Sequence, residues 1–424
     1  MLRSIIKTAT FKESQITVLG TVINGILGAL FYIVLARFLG PSDFGILIVS
    51  LTTLVMVADI ADIGTNTGLV RFVSSNLSSD REKAYKFLKL SLEVKIIAWF
   101  VVLLIFFFLS PVLATQVFYK SELVIPLHLV SFGVGGALLF TFATSALQAY
   151  QKYFLWSLLN IGTNFLRLAL IFIFSYFFLL SVESSLMIYI AMPFLGFFVA
   201  LFLIPARNIF QIKNEQRLSR EFFRYNIPVA IFTIIAAFSS KLDTFLNASL
   251  LPVKDVGIYG IANQLVQIMP QVVAGLGLVA APKFSSFTNN EQMMTFLKKF
   301  QLLVAGLVVF GLMLLPVAIY LVPVIIGQAY QEAIFPFIFL FLAMLVFLFS
   351  VPVHSSVMFY FGRPDIFIWI SIGHLFIIGG LGYFMISNFG VIGASLTVLT
   401  GTIFNFLYPL IWLLIKLRRK QQKK

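Results

Sequence analysis

The stretch LEVKIIAWFVVLLIFFFLSPVLA, residues 92–114, decides the class of fold to which the chain belongs. After Lys95 it contains no charged residue. Because a helix needs about 20 apolar residues to cross a bilayer core, this stretch predicts a membrane-spanning helix. The whole chain has the same character: 60% of its residues are hydrophobic and 11% are charged, whereas about a quarter of the residues in soluble domains are charged. We therefore expect lipid to surround most of the protein.

Eleven other segments have a similar length and hydropathy. Together with residues 92–114 they predict twelve spans, with approximate bounds 16–39, 46–72, 92–114, 123–149, 156–180, 186–205, 226–250, 257–281, 300–322, 334–358, 367–387 and 392–415. The predicted fold class is therefore an all-α membrane protein with twelve transmembrane helices.

Lysine and arginine indicate which side of the membrane each loop faces, because cytoplasmic loops are enriched in them. If the N-terminus is inside, 23 of the 30 basic residues fall in predicted cytoplasmic segments, three at the outer edges and four within spans. Both termini are therefore predicted to be cytoplasmic, in a multi-pass protein of the cell (inner) membrane. The same bias accounts for the net charge of +14, so we do not expect a nucleic-acid partner.

The longest basic loop lies between the sixth and seventh spans and divides the chain into two halves. The predicted organisation is a cytoplasmic interfacial segment 1–15, a six-helix bundle 16–205, a basic linker 206–225, a second six-helix bundle 226–415 and a basic tail 416–424. The first segment lacks a short apolar core followed by a small-residue cleavage site, so we interpret it as an interfacial helix and not as a signal peptide.

Each half contains a similar turn after its first span. LARFLGPSDFGIL at 35–47 and LNASLLPVKDVGIY at 246–259 align with one inserted residue, which pairs Gly45 with Gly257. Both halves begin inside, so the two bundles are predicted to be related by a parallel pseudo-two-fold repeat. Transporters of this design bind substrate between their halves and rock one half against the other. Chance similarity between two short turns is the other interpretation.

Four motifs along the chain carry a family resemblance. They are ARFLGPSDFG at 36–45, Asp62-Ile63-Gly64 followed by Arg71, Asp243 followed by Val256, Gly257, Tyr259 and Ala262, and Gly390, Gly393 and Ala394 at the start of the last span. In this order and spacing the sequence resembles the polysaccharide-export branch, the Wzx-type flippases, of the multidrug/oligosaccharidyl-lipid/polysaccharide exporter superfamily.

The resemblance implies a flippase that moves undecaprenyl-diphosphate-linked oligosaccharide repeat units to the outer leaflet, for assembly into O-antigen, capsule or exopolysaccharide. Its partners would be the lipid-linked oligosaccharide, membrane lipid and other polysaccharide-assembly proteins, and we expect a monomer. The nearest alternative is a cation-coupled multidrug or metabolite exporter of the same superfamily. If transport is coupled, the coupling ion would be H⁺ or Na⁺.

Several kinds of chemistry have no residues to support them. The chain contains no cysteine, which excludes disulfides, thiolate metal sites and a cysteine nucleophile. It also has no G-x-x-x-x-G-K-[ST] stretch for binding ATP, and its three histidines lack metal-ligand spacing. The predicted outer loops are short, which argues against a membrane glycosyltransferase or polymerase. We therefore predict no catalytic residue, metal or cofactor.

The fifth span carries a polar face inside an otherwise apolar helix. Asn160, Thr163, Asn164 and Arg167 have the i, i+3, i+4, i+7 spacing that places side chains together. A guanidinium fork binds phosphate oxygens in pairs, so this face is predicted to line a cavity and to bind the diphosphate of the substrate. The alternative is that Arg167 extends to the lipid headgroups.

Other predicted substrate-binding residues lie on the third, seventh and eighth spans. Lys95 and Lys241 are further cations within spans, and Gln264 and Gln267 carry amides that can hydrogen-bond sugar hydroxyls. The amides can equally hold helices together.

Acidic residues within spans, together with Arg71 on the second span, are predicted to act in coupling or gating. Asp59 and Asp62 share a face of the second span, and because two carboxylates repel, one of them can hold a proton. The alternative is that they pair with Arg71 and Lys95. Asp243 on the seventh span is predicted to be a proton or cation site, or else one member of a buried ion pair.

Overall fold

The computed structural model describes residues 9–213 and 215–421. Within these residues the chain forms helices and no β-strand, as the sequence predicts. Most of the predicted interfacial segment 1–15 and the end of the predicted tail 416–424 lie outside the described residues, so these two assignments stay predictions.

Ten helices in the described ranges are long and apolar enough to cross a membrane, where the sequence predicts twelve. The numbers differ because Leu19–Ala61 and Asp365–Arg418 each run through two of the predicted spans. Each of these helices contains one glycine with a non-helical backbone, Gly40 (φ 76°, ψ 172°) and Gly390 (φ 55°, ψ −136°). Glycine adopts positive φ readily because it has no Cβ, so these two residues interrupt the helical geometry.

The helices separate into two compact units, which are described one at a time. Unit 1 contains the chain up to Leu39 and residues Ile46–Lys241, and unit 2 contains Gly40–Gly45 and the chain from Leu242 onward. The sequence places the boundary between the two bundles in the basic segment 206–225. The contacts place it further along the chain, inside the helix Gln216–Leu250.

Unit 1 is built around one central helix. Its elements are α1 (Ala9–Ala61) without its segment Gly40–Gly45, α2 (Thr65–Asn76), α3 (Arg81–Val112), α4 (Val124–Ala149), α5 (Tyr153–Tyr176), α6 (Val182–Leu201), the short α7 (Ala206–Gln211) and the first part of α8 (Gln216–Leu250). Helix α4 packs against α2, α3, α5 and α6. Gly133 and Gly136 of α4 leave room for the side chains of Ile190 and Phe194 on α6, and small residues of this kind let membrane helices approach closely.

An aromatic cluster joins α2, α3 and α8 in unit 1. The rings of Phe72 and Phe87 stack with centroids 4.6 Å apart, and the buried ring of Phe222 lies 5.9 Å and 6.0 Å from them. One turn further along α8, the buried side chain of Asn226 occupies the space beside Gly68 of α2. These contacts hold the start of α8 in unit 1, which is why the boundary falls later than the basic segment suggests.

Unit 2 is also built around one central helix. Its elements are the end of α8, α9 (Val253–Val266), α10 (Met269–Ser285), α11 (Asn290–Ile326), α12 (Ile334–Ser355), α13 (Asp365–Phe376) and α14 (Gly382–Gln421). Helix α12 packs against α9, α10, α11 and α14. The hydrophobic core of unit 2 includes the rings of Phe284, Phe296 and Phe300. The rings of Phe296 and Phe300 stack with their centroids 5.7 Å apart.

A reciprocal glycine contact joins the Gly40–Gly45 segment to α9 within unit 2. A Cβ on Gly45 would collide with the carbonyl oxygen of Val253 and come within 3.0 Å of the Gly257 nitrogen. A Cβ on Gly257 would collide with the carbonyl oxygen of Pro41 and come within 3.0 Å of the Gly45 nitrogen. The two backbones therefore touch in a way that only glycine permits at both positions.

The outer surface of the helices is strongly apolar. On α3, Leu104, Phe107 and Phe108 are 67%, 66% and 68% exposed. Soluble proteins rarely expose large contiguous apolar patches. A row of exposed aromatic and aliphatic side chains along a helix of this length fits contact with lipid tails.

Candidate functional site

The motif Asp62-Ile63-Gly64 breaks the second predicted span inside unit 1. Helix α1 ends at Ala61 and α2 starts at Thr65, and the two residues between Asp62 and Thr65 have positive φ, 50° for Ile63 and 69° for Gly64. The Asp62 carboxylate accepts hydrogen bonds from the Thr65 hydroxyl (2.9 Å) and from the Asn66 backbone N–H (3.2 Å). It thereby satisfies donors that the start of α2 would otherwise leave unpaired.

The same carboxylate forms a buried ion pair with Lys95 of α3. The Lys95 side chain is fully buried, its ammonium donates to Asp62, and a second, longer contact of 3.4 Å reaches the Thr141 hydroxyl of α4. Of the two pairings that the sequence suggests for Asp62, the structure contains the one with Lys95. The predicted role of Lys95 in substrate binding requires this pair to open.

Arg71 has different neighbours from those that the sequence suggests. Its guanidinium lies 4.3 Å from the ring centroid of Tyr225, and in the described part of the chain it has no ion pair with a carboxylate. Arg71 and Tyr225 line a cavity of about 480 Å³ together with Asn66, Thr67, Val70, Ser145 and Gln148. The Ser145 hydroxyl donates to the Asn66 amide oxygen (3.1 Å). The pairing of Arg71 with Asp59 or Asp62 is therefore wrong for this structure, because the guanidinium stacks on an aromatic ring instead.

Arg167 of α5 lies in a second polar cluster of unit 1. Its Nη1 donates to the Asn164 amide oxygen at 2.9 Å, and the Asn164 amide in turn donates to Asn24 of α1. The guanidinium lies 4.0 Å from the ring centroid of Tyr189 and 5.5 Å from that of Phe31. The Nε of Arg167 is buried without a hydrogen-bond partner among the described residues. Cation–π contacts hold the charge in place while leaving hydrogen-bond donors free.

The predicted polar face of α5 is only partly a single cluster. The Asn164 and Arg167 side chains share a hydrogen bond, as their spacing predicts. Asn160 and Thr163 instead bond to carbonyl oxygens of their own helix, those of Trp156 and Leu159. These bonds use a donor of each side chain and leave their oxygens as acceptors, so the predicted role of Asn160 in substrate binding stays a prediction.

Sequence reasoning missed three residues of this cluster. Asn24 binds Asn164, Tyr189 stacks on Arg167, and Tyr32 shares a hydrogen bond with Tyr189. Asn24 and Tyr32 lie on α1, far from α5 in sequence, and Tyr189 lies on α6, the next helix along the chain. The one sequence signal for these residues is that the amide of Asn24 and the phenols of Tyr32 and Tyr189 are isolated polar groups within apolar stretches.

Lys241 lies on α8, near the Asp59 carboxylate of the second predicted span. It is half-buried and interacts electrostatically with Asp59, without forming a direct ion pair within the described ranges.

Unit 1 thus holds four cations within predicted spans. Lys95 is neutralised by Asp62 and Lys241 is partly balanced by Asp59, while Arg71 and Arg167 have no carboxylate at ion-pair distance in residues 9–213 and 215–421. Of these last two cations, Arg71 is exposed and Arg167 is half-buried.

Unit 2 contains an acidic site. The buried Tyr259 hydroxyl of α9 donates to Asp243 of α8, and His374 of α13 lies within electrostatic range of the same carboxylate. No lysine or arginine in the part of the chain that the structure describes forms an ion pair with Asp243. The alternative of a buried ion pair at Asp243 is therefore not realised with a lysine or arginine here.

The two glutamines predicted to bind substrate on the eighth span lie on either side of a helix end. Helix α9 ends at Val266, and the turn at Gln267 and Ile268 separates it from α10. Gln264 is half-buried, whereas Gln267 is exposed and donates to Asn263 at 3.2 Å. Pro270 near the start of α10 has no N–H to continue the ladder, which helps to explain the break.

No group of three or more histidine and acidic side chains with a geometry suited to a metal ion occurs among the residues described. The arrangement is that of a multi-pass helical membrane protein with polar and charged groups inside each bundle. The family described as "Polysaccharide biosynthesis protein" matches residues 11–288, and the chain belongs to this family. A search of curated protein sequences found no match.

Solved structures of similar fold include two types of membrane protein. An inward-facing multidrug resistance MATE family transporter of the MOP superfamily is 13% identical, with a TM-score of 0.76 over 96% of this chain and 99% of that chain. The lipid II flippase MurJ, in an inward closed conformation, is 16% identical, with a TM-score of 0.75 over 94% of this chain and 87% of that chain. The eukaryotic MATE transporter AtDTX14 is 13% identical, with a TM-score of 0.60 over 95% and 96%. The chain therefore has the fold of the MOP superfamily, as the resemblance predicts.

Proposed function

We propose that the protein is a flippase for an undecaprenyl-diphosphate-linked oligosaccharide. The observation that carries the proposal is the state of Arg167, a half-buried cation with no carboxylate at ion-pair distance in the described residues and with its Nε unpaired. A charged group within a span is costly unless a partner compensates it. An anion that arrives with the substrate would supply that partner.

A diphosphate fits these donors better than a neutral or cationic cargo. Guanidinium groups bind phosphate oxygens through paired, charge-assisted hydrogen bonds. Asn164 and the Tyr189 ring already hold the Arg167 guanidinium in place, so little additional ordering is needed on binding. Arg71, on the 480 Å³ cavity of the same unit, adds a second cation with free donors.

We further propose the finer topology that the sequence predicts. Counting the chain on either side of Gly40 and Gly390 separately gives twelve spans, and a helix of 43 residues, at about 1.5 Å per residue, is roughly twice as long as one crossing needs. The reciprocal contact of Gly45 with Gly257 supports a pseudo-two-fold repeat, because a two-fold axis between aligned residues makes both contacts equivalent. The protein would act as a monomer in the cell inner membrane, with both termini cytoplasmic and alternating access around a cationic cavity.

Asp243 favours a second candidate, a cation-coupled multidrug or metabolite exporter. Its carboxylate is bonded to the Tyr259 hydroxyl, without a lysine or arginine partner among the described residues. Such a group can bind H⁺ or Na⁺ and release it during a transport cycle. The same site could couple lipid flipping to an ion gradient, so the two candidates differ in cargo.

The decisive experiment measures flipping by purified protein in lipid vesicles. The probe is a fluorescent undecaprenyl diphosphate oligosaccharide, whose accessible fraction reports its leaflet, and a second assay follows ethidium efflux. We expect Arg167→Gln to abolish flipping and Arg167→Lys to reduce it, because lysine loses the paired donors and the ring contact. Lys299→Gln, which removes an exposed charge of unit 2, is the matched control and should keep the wild-type rate. Wild-type flipping by Arg167→Gln, or ethidium efflux without flipping by the wild type, would overturn the proposal.

A further inference from the structure

A separate cavity of unit 1 lies at the ends of several helices and shares no lining residue with the cavity that Arg71 lines. It has a volume of about 310 Å³ and is lined by Leu77, Arg81, Tyr85, Tyr150, Lys152, Leu203 and Pro205. It forms where α2, α4 and α6 end and where α3 and α5 begin. None of these residues takes part in the proposed binding of substrate.

A tight turn presents two of the lining residues to the cavity. After α4 ends, Gln151 adopts a left-handed backbone with φ 57°, and the Lys152 N–H donates to the Leu147 carbonyl at 2.9 Å. The Lys152 ammonium donates to the Leu203 carbonyl at 2.8 Å. The reversal places Tyr150 and Lys152 together at the same opening.

Helix α3 supplies the other polar residues from its first turns. Arg81 and Tyr85 are four residues apart, so they share one helical face. The neighbouring Asp80 carboxylate is occupied as the helix cap, where it accepts from the Lys83 N–H at 3.0 Å. Neither Arg81 nor Lys152 forms an ion pair with a carboxylate in the ranges that the structure describes. The cavity is therefore cationic.

The Tyr150 hydroxyl is the observation that points to a ligand. It is buried and has no hydrogen-bond partner among the described residues, whereas buried polar groups are nearly always paired. Burial raises the pKa of the Tyr150 hydroxyl above its ordinary value, and the neighbouring Tyr85 acts in the same direction. The phenol therefore keeps its proton and can donate it to an anionic oxygen.

We propose that this cavity binds a phosphate group, with Arg81 and Lys152 supplying positive charge and the Tyr150 hydroxyl donating a hydrogen bond. Leu77, Leu203 and Pro205 form an apolar wall beside which the alkyl chain of a lipid phosphate would lie. The phosphate belongs to an anionic phospholipid headgroup or to a polyprenyl diphosphate. The inference does not rest on the proposed flippase function, since a lipid site at helix ends fits an exporter equally well.

The experiment titrates the purified full-length protein in detergent with three probes. They are sodium phosphate, dihexanoyl phosphatidylglycerol and farnesyl diphosphate, and the readout is the dissociation constant for each. We expect Tyr150→Phe and Lys152→Gln each to weaken binding roughly tenfold, because each removes a hydrogen bond or charge that meets an anion. Lys83 lies on α3 with Arg81 but does not line the cavity. Lys83→Gln is therefore the matched control, and its dissociation constants should stay within about twofold of wild type.

The three probes identify the source of the phosphate. Similar affinity for all three indicates that the phosphate alone is recognised, whereas tighter binding of one lipid probe assigns the site to phospholipid or to polyprenyl diphosphate. Melting temperatures without ligand check that the variants fold. If Tyr150→Phe does not fold, Lys152→Gln still tests the proposal. Absence of binding of every probe by the wild type overturns the proposal, as does wild-type affinity in folded Tyr150→Phe.

Discussion

Removing either member of the ion pair between Asp62 and Lys95 should lower the free energy of unfolding substantially. The loss should be larger for one substitution than for the other. Removing one member of a buried pair leaves a charge without compensation, which costs about 3–5 kcal/mol. In Asp62→Asn, the fully buried Lys95 ammonium loses its counter-charge and keeps a neutral amide oxygen and the 3.4 Å contact with Thr141 as acceptors, so we expect a loss of free energy of unfolding within this range.

The opposite substitution should cost less. In Lys95→Met, the Asp62 carboxylate keeps the Thr65 hydroxyl at 2.9 Å and the Asn66 N–H at 3.2 Å, and its side chain is 10% exposed. We expect a loss of about 1–3 kcal/mol, the range for an incompletely satisfied buried group. The double variant Asp62→Asn/Lys95→Met carries no buried charge and should recover to within about 2 kcal/mol of wild type.

The assay is unfolding in mixed micelles titrated with sodium dodecyl sulfate, followed by tryptophan fluorescence. Flipping by the same variants in vesicles then separates structure from function. If the pair is structural, the double variant regains flipping as well as stability. If Lys95 also binds substrate, the double variant is stable and inactive. A loss below about 1 kcal/mol in Asp62→Asn, or a double variant no more stable than that single one, would refute the assignment of a buried pair.

Three further substitutions test other parts of the structure. Gly257→Ala would drive a Cβ into the Pro41 carbonyl, so we expect little folded protein by size-exclusion chromatography, and a normal yield contradicts the close contact. Tyr259→Phe removes the donor to Asp243, and should lower stability by about 1–3 kcal/mol and change the dependence of flipping on an imposed proton or sodium gradient; an unchanged gradient dependence argues against coupling at this site. Gln151→Gly should raise stability by roughly 1 kcal/mol in the detergent titration, because glycine adopts φ 57° without strain, and a loss of stability shows that the glutamine side chain contributes elsewhere.

The sequence predicted the helical class well because the lengths of apolar stretches and the positions of charges follow directly from the bilayer. It also placed Asn164 and Arg167 side by side, since residues three apart on a helix are neighbours. The predicted spans also break at Gly40 and Gly390, but the sequence did not predict the interruption at Gly64, which lies inside the predicted span 46–72. Glycine is common within membrane helices, and its backbone departs from helical geometry only when tertiary neighbours require it.

The partners of the buried charges were harder to predict than the charges themselves. A span with Asp62 invites several pairings, and only the packing of α3 beside the break selects Lys95 over Arg71. Likewise, Tyr189 on the next helix stacks on Arg167, and Asn24 on the distant α1 accepts a hydrogen bond from Asn164. The contacts divide the two units later in α8 than the predicted linker 206–225, because Phe222 within that linker packs with Phe72 and Phe87.

The contact between Gly45 and Gly257 has a consequence for the origin of the chain. If the two halves descend from one duplicated segment, their common ancestor carried a single glycine that met its own copy across a symmetry axis. Such an isologous contact is how homodimers are built. The ancestral half-length protein would then have assembled as a pair, and gene fusion would have freed each glycine's surroundings to diverge while leaving the meeting point itself unable to accept a side chain.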